Sequence, residues 1–395
     1  VVPAEQFTLL GKLILLLLIQ VGGLGVIACM SAFFLLLGKR INMKGRITIR
    51  QAYGLDTLSG LVRFIIRILK GTFLVEGIGA VLFAIRFVPE FGFIKGIGYG
   101  IFHSISAFCN AGIDILGSTS FIQYAGSPLI NFTTMFLIVM GGLGFPVWHD
   151  IAVNARKLWG MKKRPLKWMF TRLRLQSKIV IMVTILFYIL GIAEMILVEW
   201  NAPSLSSADG AGQKLLMSSM LVTSGRDAGF APLNVALLKE STLLMIICFM
   251  FIGGAPGSTA CGIKTTTFAV MVLTIASVFR RKKSVECFGR RFENTIIKDA
   301  SCVTTLYLLV VIISSIVISA IEDVKILPVM FEVVSAISSC GLSMGITAKL
   351  SDISCALITI IMFFGRIGGL SFIMSLSNNV KPSKVQLPEE KIIVG

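Results

Sequence analysis

Three short segments carry a glycine where the backbone has reason to turn: CNAGID (Cys109 to Asp114), RDAGFA (Arg226 to Ala231) and SCGLSMG (Ser339 to Gly345). Their glycines, Gly112, Gly229 and Gly341, stand 117 and 112 residues apart. Glycine tolerates backbone angles that turn successive carbonyl oxygens to one side. A ring of such oxygens can replace the hydration shell of a cation without a titratable charge that would hold it too tightly. The oxygens concerned belong to Asn110, Ala111 and Gly112, to Asp227, Ala228 and Gly229, and to Cys340, Gly341 and Leu342. The competing use of a glycine among apolar helices is close packing, and the repetition of the position weighs against it.

Each turn follows a moderately apolar segment about as long as half a membrane span: IGYGIFHSISAFCN (Ile97 to Asn110), QKLLMSSMLVT (Gln213 to Thr223) and ILPVMFEVVSAIS (Ile326 to Ser338). A half-helix ending in a glycine turn has the form of a re-entrant loop. The partially negative C-terminal ends of such half-helices favour a cation over an anion. A second glycine cluster follows each turn: MGGLGFP around Gly142, IGGAPGST around Gly254 and FGRIGGLS around Gly368, separated by 112 and 114 residues. A fourth copy, VGGLGV around Gly23, lies 119 residues before the first of these, and its own turn is expected to fall before Val1.

The expectation is an all-α membrane protein of pseudo-fourfold helix, re-entrant loop, helix repeats around a central pore, with the first repeat incomplete. Residues 1–40 then form the second helix of repeat one, 60–157 repeat two, 172–280 repeat three with a broken second helix, 295–379 repeat four, and 380–395 a cytoplasmic tail. All excursions leave and return on one side, so the repeats are parallel about an axis along the membrane normal.

Composition bounds the class. Of 395 residues 55% are hydrophobic and 14% charged, with mean hydropathy +0.88, more apolar surface than a soluble domain can hide. Apolar runs at Leu9–Leu37, Phe64–Val88, Ile130–Val147, Ile179–Val198, Leu243–Ile252, Phe268–Phe279, Cys302–Ile321 and Ile353–Leu376 supply the spans, most of them continuous and two interrupted or short. The formal charge of +17 sits in three basic stretches, Lys39 to Arg67, Arg156 to Lys178 and Arg280 to Lys298. By the positive-inside rule these are cytoplasmic, where they set topology and touch lipid headgroups; nothing in them points to nucleic acid. Eight cysteines without a C-x-x-C pair indicate neither a zinc site nor a disulfide framework.

These features resemble the Ktr/Trk/HKT superfamily of potassium transporters along essentially the whole chain. The resemblance is carried by IQVGGLGV (Ile19 to Val26), SISAFCNAG (Ser104 to Gly112), GGLGFPV (Gly141 to Val147), RDAGF (Arg226 to Phe230), GSTACGIKTTT (Gly257 to Thr267), GLSMGIT (Gly341 to Thr347) and GRIGGLS (Gly365 to Ser371). The tail LPEEKIIVG (Leu387 to Gly395) looks like that of the Ktr branch. The resemblance implies potassium uptake through a gated selective pore in a bacterial plasma membrane. It also implies sodium as a candidate activator, a homodimer of pore subunits, and a cytoplasmic ring of nucleotide-binding regulatory subunits. Gly112, Gly229 and Gly341 become filter glycines. Asp227 stands where the family usually has Thr, and Cys109 and Cys340 are departures from its more usual Ser, Asn, Thr or Val.

The run GGAPGSTACGIK interrupts a second helix with Gly253, Gly254, Pro256, Gly257, Ser258, Thr259, Gly262 and Lys264. Such irregular backbone is tolerated at membrane depth only where buried or lining water, which makes it a candidate gate; a static kink is the alternative, and the resemblance favours the gate. Arg366, inside an apolar helix, is expected to face the pore below the filter, or otherwise to bond helix-end carbonyls or a carboxylate. Glu76 and Glu194 occupy near-equivalent positions 36 and 35 residues before their turn glycines and are read as hydrogen-bond acceptors rather than proton or sodium sites. Asp114 and Asp227 are placed to draw cations to the outer mouth. His103 and His149 are read as packing residues. An intramembrane enzyme lacks any zincin or nucleophile signature here. A cation symporter working by alternating access is the competing transport reading.

Overall fold

A computed structural model describes residues 3–37, 43–53, 60–117, 120–159, 166–226 and 228–369. The tail from Leu387 to Gly395, Asp227, and the basic residues Lys39, Arg40, Lys162, Lys163 and Arg164 lie outside the described residues. Within them the chain is helical apart from turns, loops and one two-residue antiparallel hairpin, Glu286–Cys287 with Arg290–Arg291.

A long helix, a short helix, a turn and a second helix recur three times. The long helices are Leu61–Phe91, Leu175–Glu194 with a π-helical turn Met195–Glu199, and Asn294–Glu322. All three are long and apolar enough to cross a membrane. Leu74, Val81, Ile85, Ile189, Leu197, Ile313 and Ile316 project outward from them, as expected of faces solvated by lipid rather than water.

The short helices are Phe93–Phe108, Ala211–Ser224 and Ile326–Ser338, of 16, 14 and 13 residues. At 1.5 Å per residue they reach roughly 20–24 Å, too short to span about 30 Å of hydrocarbon. Burial explains their moderate apolarity. The last, for example, is buried continuously from Phe331 to Ser338, including Glu332 and Ser335, so small and polar residues are accommodated where they have protein partners.

The second helices differ from the sequence expectation. Only that of repeat three was read as broken, whereas Leu9–Leu24 and Val26–Leu36 meet at a 102° bend and Pro128–Gly142 and Phe145–Trp159 at 97°. The helix Asp352–Ile367 is likewise closed at Gly368. Three of them share a cause: Gly25, Gly144 and Gly368 have φ of 83°, 84° and 86°, left-handed values at which a helix cannot continue, whereas Glu240–Phe251 ends at Ile252 with φ −100°. Continuous hydropathy through GGLG conceals this break.

Carboxylates fasten the ends of helices together. Glu199, fully buried, accepts from the Lys239 amide (2.8 Å) and Ser204 (2.6 Å) and shares the Thr242 hydroxyl, 2.8 Å away, with Glu194. In the next repeat Glu322 accepts from the Ser351 amide at 3.0 Å and from the hydroxyls of Ser351 and Ser354. Both therefore hold the first residue before a second helix and the hydroxyl three residues on. On the other side, Asp150 accepts from the Arg174 amide (2.8 Å) and Ser177 (2.6 Å), joining the second repeat to the third. Glu199→Ala strands the Lys239 amide and the Ser204 hydroxyl, while the Thr242 hydroxyl keeps Glu194, and at about 1 kcal/mol per donor it is expected to cost about 2 kcal/mol. A fall of several degrees in the unfolding midpoint of the detergent-solubilised protein checks this; a midpoint equal to wild type would refute the clamp.

Candidate functional site

The three turns begin alike. As each short helix ends, its last turn is tightened by backbone bonds: Ala111 N to Ser106 O and Cys340 N to Ser335 O, both 2.9 Å, and Ala228 N to Ser224 O at 2.9 Å. Two residues before the glycine the backbone is already left-handed, with φ of 52° at Asn110 and 55° at Ser339. At the glycines it is left-handed again, 64° at Gly112, 85° at Gly229 and 95° at Gly341. A side chain at φ near +60° is tolerated mainly by Asn and a few small polar residues, which suits Asn110.

The turns converge, although they are more than a hundred residues apart in sequence. The carbonyl oxygen of Ala228 lies where a side chain on Gly112 would have to go, and that of Cys340 occupies the corresponding space at Gly229. The Ala111 oxygen is 4.0 Å from the corresponding position at Gly341. Thus the oxygen immediately before one turn glycine is nested against the glycine of another. Leu342 is buried, and the Ile113 carbonyl is withdrawn by a 2.6 Å hydrogen bond from Ser106. The three short helices point their C-terminal ends at this meeting point, so its electrostatics favour a cation.

Behind the second turn a cavity of about 20 Å³ is lined by Asn110, Gly142, Tyr188, Arg226 and Gly254. The Arg226 guanidinium lies over the rings of Phe187 and Tyr188, 5.5 and 5.8 Å from their centroids. Sequence reasoning gave Arg226 no role, and only its position in the turn motif hinted at one.

The loop from Gly253 to Lys264 separates Glu240–Phe251 from Thr265–Phe279 and is closed at its base by a bridge between Ile252 and Ile263. Its residues reach into other repeats. Ala255 N donates to Gly142 O (2.9 Å), Thr259 N to Gly141 O (3.3 Å), and Gly257 O accepts from Phe145 N (2.9 Å). The Thr259 hydroxyl donates to Phe108 O at 3.1 Å. Gly253, Gly254 and Thr259 are buried, Pro256, Gly257, Ser258 and Lys264 half-buried, and Gly262 turns the chain at φ 68°. Lys264 donates to Ala260 O at 2.7 Å.

Arg366 crosses to this loop from the helix Asp352–Ile367, donating to Thr259 O at 2.9 Å and contacting Cys261 Sγ at 3.2 Å. It bonds carbonyl and thiol groups of the loop. Glu76 accepts from Gln20 with both oxygens (3.0 and 3.1 Å), and Glu194 lies 2.8 Å from the Thr242 hydroxyl that it shares with Glu199. Equivalent in sequence, they thus meet different donors, a side-chain amide and a hydroxyl. Asp114 accepts from the Leu116 amide at 3.2 Å, and His149 packs edge-on to Phe64. His103 is fully buried among Phe83, Phe87, Phe102 and Phe121. No group of three or more metal-ligating side chains occurs among the described residues.

Residues 3–384 match the TrkH family, described as a cation transport protein. The chain belongs to that family. It is 31% identical over 390 residues to the Ktr system potassium uptake protein B of Bacillus subtilis, covering 99% of this chain and 84% of that protein. It is 32% identical over 398 residues to the potassium/sodium uptake protein NtpJ of Enterococcus hirae, covering 99% and 85%. The crystal structure of the potassium transporter TrkH from Vibrio parahaemolyticus shares the fold, with a TM-score of 0.70 at 17% identity over 95% of this chain and 74% of that one. The chain is therefore a multi-pass membrane transporter, and the enzyme alternative is set aside.

Removing the Arg366 guanidinium is expected to loosen the loop. Cys261 is 5% exposed, and losing charge-assisted bonds of about 1.5–3 kcal/mol should raise its reaction rate with a membrane-impermeant thiol reagent about tenfold or more in Arg366→Ala. The comparison is made by mass spectrometry of the labelled full chain in inverted vesicles. Equal labelling rates would remove Arg366 from the loop's support.

Proposed function

We propose that this chain is the pore subunit of a potassium uptake system, conducting through a filter formed by the turn carbonyls of Asn110, Ala111, Gly112, Asp227, Ala228, Gly229, Cys340, Gly341 and Leu342. The observation that carries the reading is the convergence of the three turns, with the Ala228 oxygen against Gly112 and the Cys340 oxygen against Gly229. Potassium can exchange its hydration oxygens for carbonyls held this way. The turns are three sectors of a pseudo-fourfold pore, and the helix Leu9–Leu24 belongs to the fourth. Its Gly23 packs against Cys109 at the end of a short helix. The repeats correspond to 60–157, 172–280 and 295–379, with 1–40 belonging to the first and 380–395 a tail.

The loop Gly253–Lys264 with Arg366 is the gate. It lies against Phe108 at the end of a short helix, and Arg366 adds a fixed positive charge that an ion must pass or have screened. The relatives named for potassium and for potassium/sodium uptake support potassium as the conducted ion and sodium as a second ion to test. A relative named as one protein of a Ktr system supports regulatory partner subunits, and the reading includes a homodimer on a cytoplasmic ring of nucleotide-binding subunits in a bacterial plasma membrane. The basic stretches, Arg280 to Lys283 among them, face the cytoplasm and its anionic lipid headgroups.

The test is potassium and sodium uptake by the intact protein, with its regulatory partner, in a strain lacking other potassium uptake. Rescue of growth at low potassium is expected, and Gly229→Ser, whose side chain meets the Cys340 oxygen, is expected to lower the potassium-to-sodium uptake ratio about tenfold, or about 1.4 kcal/mol. Flux that ignores Gly229 would overturn the filter, and a fixed ion stoichiometry under imposed gradients would replace the pore with a symporter.

A further inference from the structure

The repeats share a second register besides the glycines. Nine residues before Gly112, Gly229 and Gly341 stand His103, Met220 and Glu332; three residues after them stand Ile115, Pro232 and Met344. In the last repeat Glu332, 7% exposed, accepts from the Met344 amide at 2.9 Å and the Ser343 hydroxyl at 2.7 Å, and its other oxygen accepts from Thr347 at 2.8 Å. In the second repeat His103 Nδ1 lies 2.7 Å from the Tyr99 carbonyl, so it is the protonated nitrogen. Nε2 is then free to accept from the Ile115 amide, a longer contact of 3.4 Å.

Carboxylate and imidazole have little in common except an acceptor atom, yet each is directed from the short helix at the same backbone amide of the turn that follows. The third repeat explains its own exception. Pro232 has no amide hydrogen, and the residue at the acceptor position is Met220, a fully buried side chain with no strong acceptor. Acceptor and amide are present together in two repeats and absent together in the third.

We infer that the side chain nine residues before each turn glycine is a positioning residue for the ion filter, fixing the outer half of the turn by holding the amide three residues after the glycine. This rests on the reading of the turns as a filter. In a fourfold arrangement the second and fourth repeats face each other across the axis, so the two held turns oppose one another, while proline's fixed φ stiffens the turn between them. Filter carbonyls discriminate potassium from sodium through the number and placement of their dipoles. A turn released at its outer end follows the smaller ion inward, and discrimination falls while conduction persists.

The test uses the full chain with its regulatory partner and reads the potassium-to-sodium uptake ratio together with the potassium concentration at half-maximal uptake. Glu332→Leu and His103→Leu are expected to lower the ratio about fivefold or more. Glu332→Gln, which keeps an acceptor oxygen, should stay within about twofold of wild type, and Met220→Leu should be neutral. Pro232→Ala creates an amide with no acceptor and should lower the ratio, and adding Met220→Gln should restore it. That pair decides the matter if the leucine variants do not reach the membrane.

Leucine variants present at wild-type levels with an unchanged ratio, or Pro232→Ala without effect, would overturn the inference. Gly229→Ser, measured alongside, separates the two failures. If it shifts the ratio while the leucine variants do not, the filter stands and the positioning role falls; if it too is silent, the filter reading falls first.

Discussion

Backbone amides and carbonyls that leave a helix at membrane depth have no water to turn to, and each one left without a partner costs several kcal/mol. The helix breaks and the loop Gly253–Lys264 are organised by that constraint. The glycine breaks in the second helices free the carbonyls of Gly141 and Gly142, and the loop of the third repeat takes them up with the amides of Thr259 and Ala255. The loop's own Gly257 carbonyl is answered by the Phe145 amide, the first of the helix beyond the break. Broken helix and loop are therefore one device, each supplying what the other lacks.

Ionisable side chains inside the apolar region obey the same rule. Glu199 and Glu332 each collect two or three amide or hydroxyl donors, while Glu76 takes the Gln20 amide with both oxygens. A carboxylate so occupied is a structural acceptor. Arg366 reverses the polarity, bringing a cation to the Thr259 carbonyl of the loop.

How much of this the sequence disclosed depends on whether the signal was a period or a partnership. The turn glycines recur at 112 to 117 residues, so the repeat, the half-helices and the positions of Gly112, Gly229 and Gly341 are legible in the sequence alone. Their mutual nesting was not, since spacing along the chain says nothing of which oxygen faces which glycine. The breaks at Gly25 and Gly144 were hidden because hydropathy is unchanged across a bend, although glycine–leucine–glycine stood in both. The register of His103 and Glu332 was hidden for a deeper reason: the two side chains look unrelated until the amide they share is known. Glu76 and Glu194 show the converse, matched in sequence yet paired with different donors.

The loop's bonds also set the energy scale on which it can move. Three backbone bonds, the Thr259 hydroxyl bond to Phe108 and the Arg366 bond to Thr259 hold it to the second and fourth repeats. At roughly 0.5–1.5 kcal/mol net for each neutral bond and more for the charged one, displacing it forfeits several kcal/mol. Moving a two-state equilibrium from 1:99 to 99:1 takes about 5.5 kcal/mol of differential affinity, a quantity of the same order. A loop held this firmly stays in place under thermal fluctuation, yet its hold is small enough for one well-matched contact to overcome. Such a contact must favour the displaced loop itself, because a partner that binds both positions equally shifts nothing however tightly it binds.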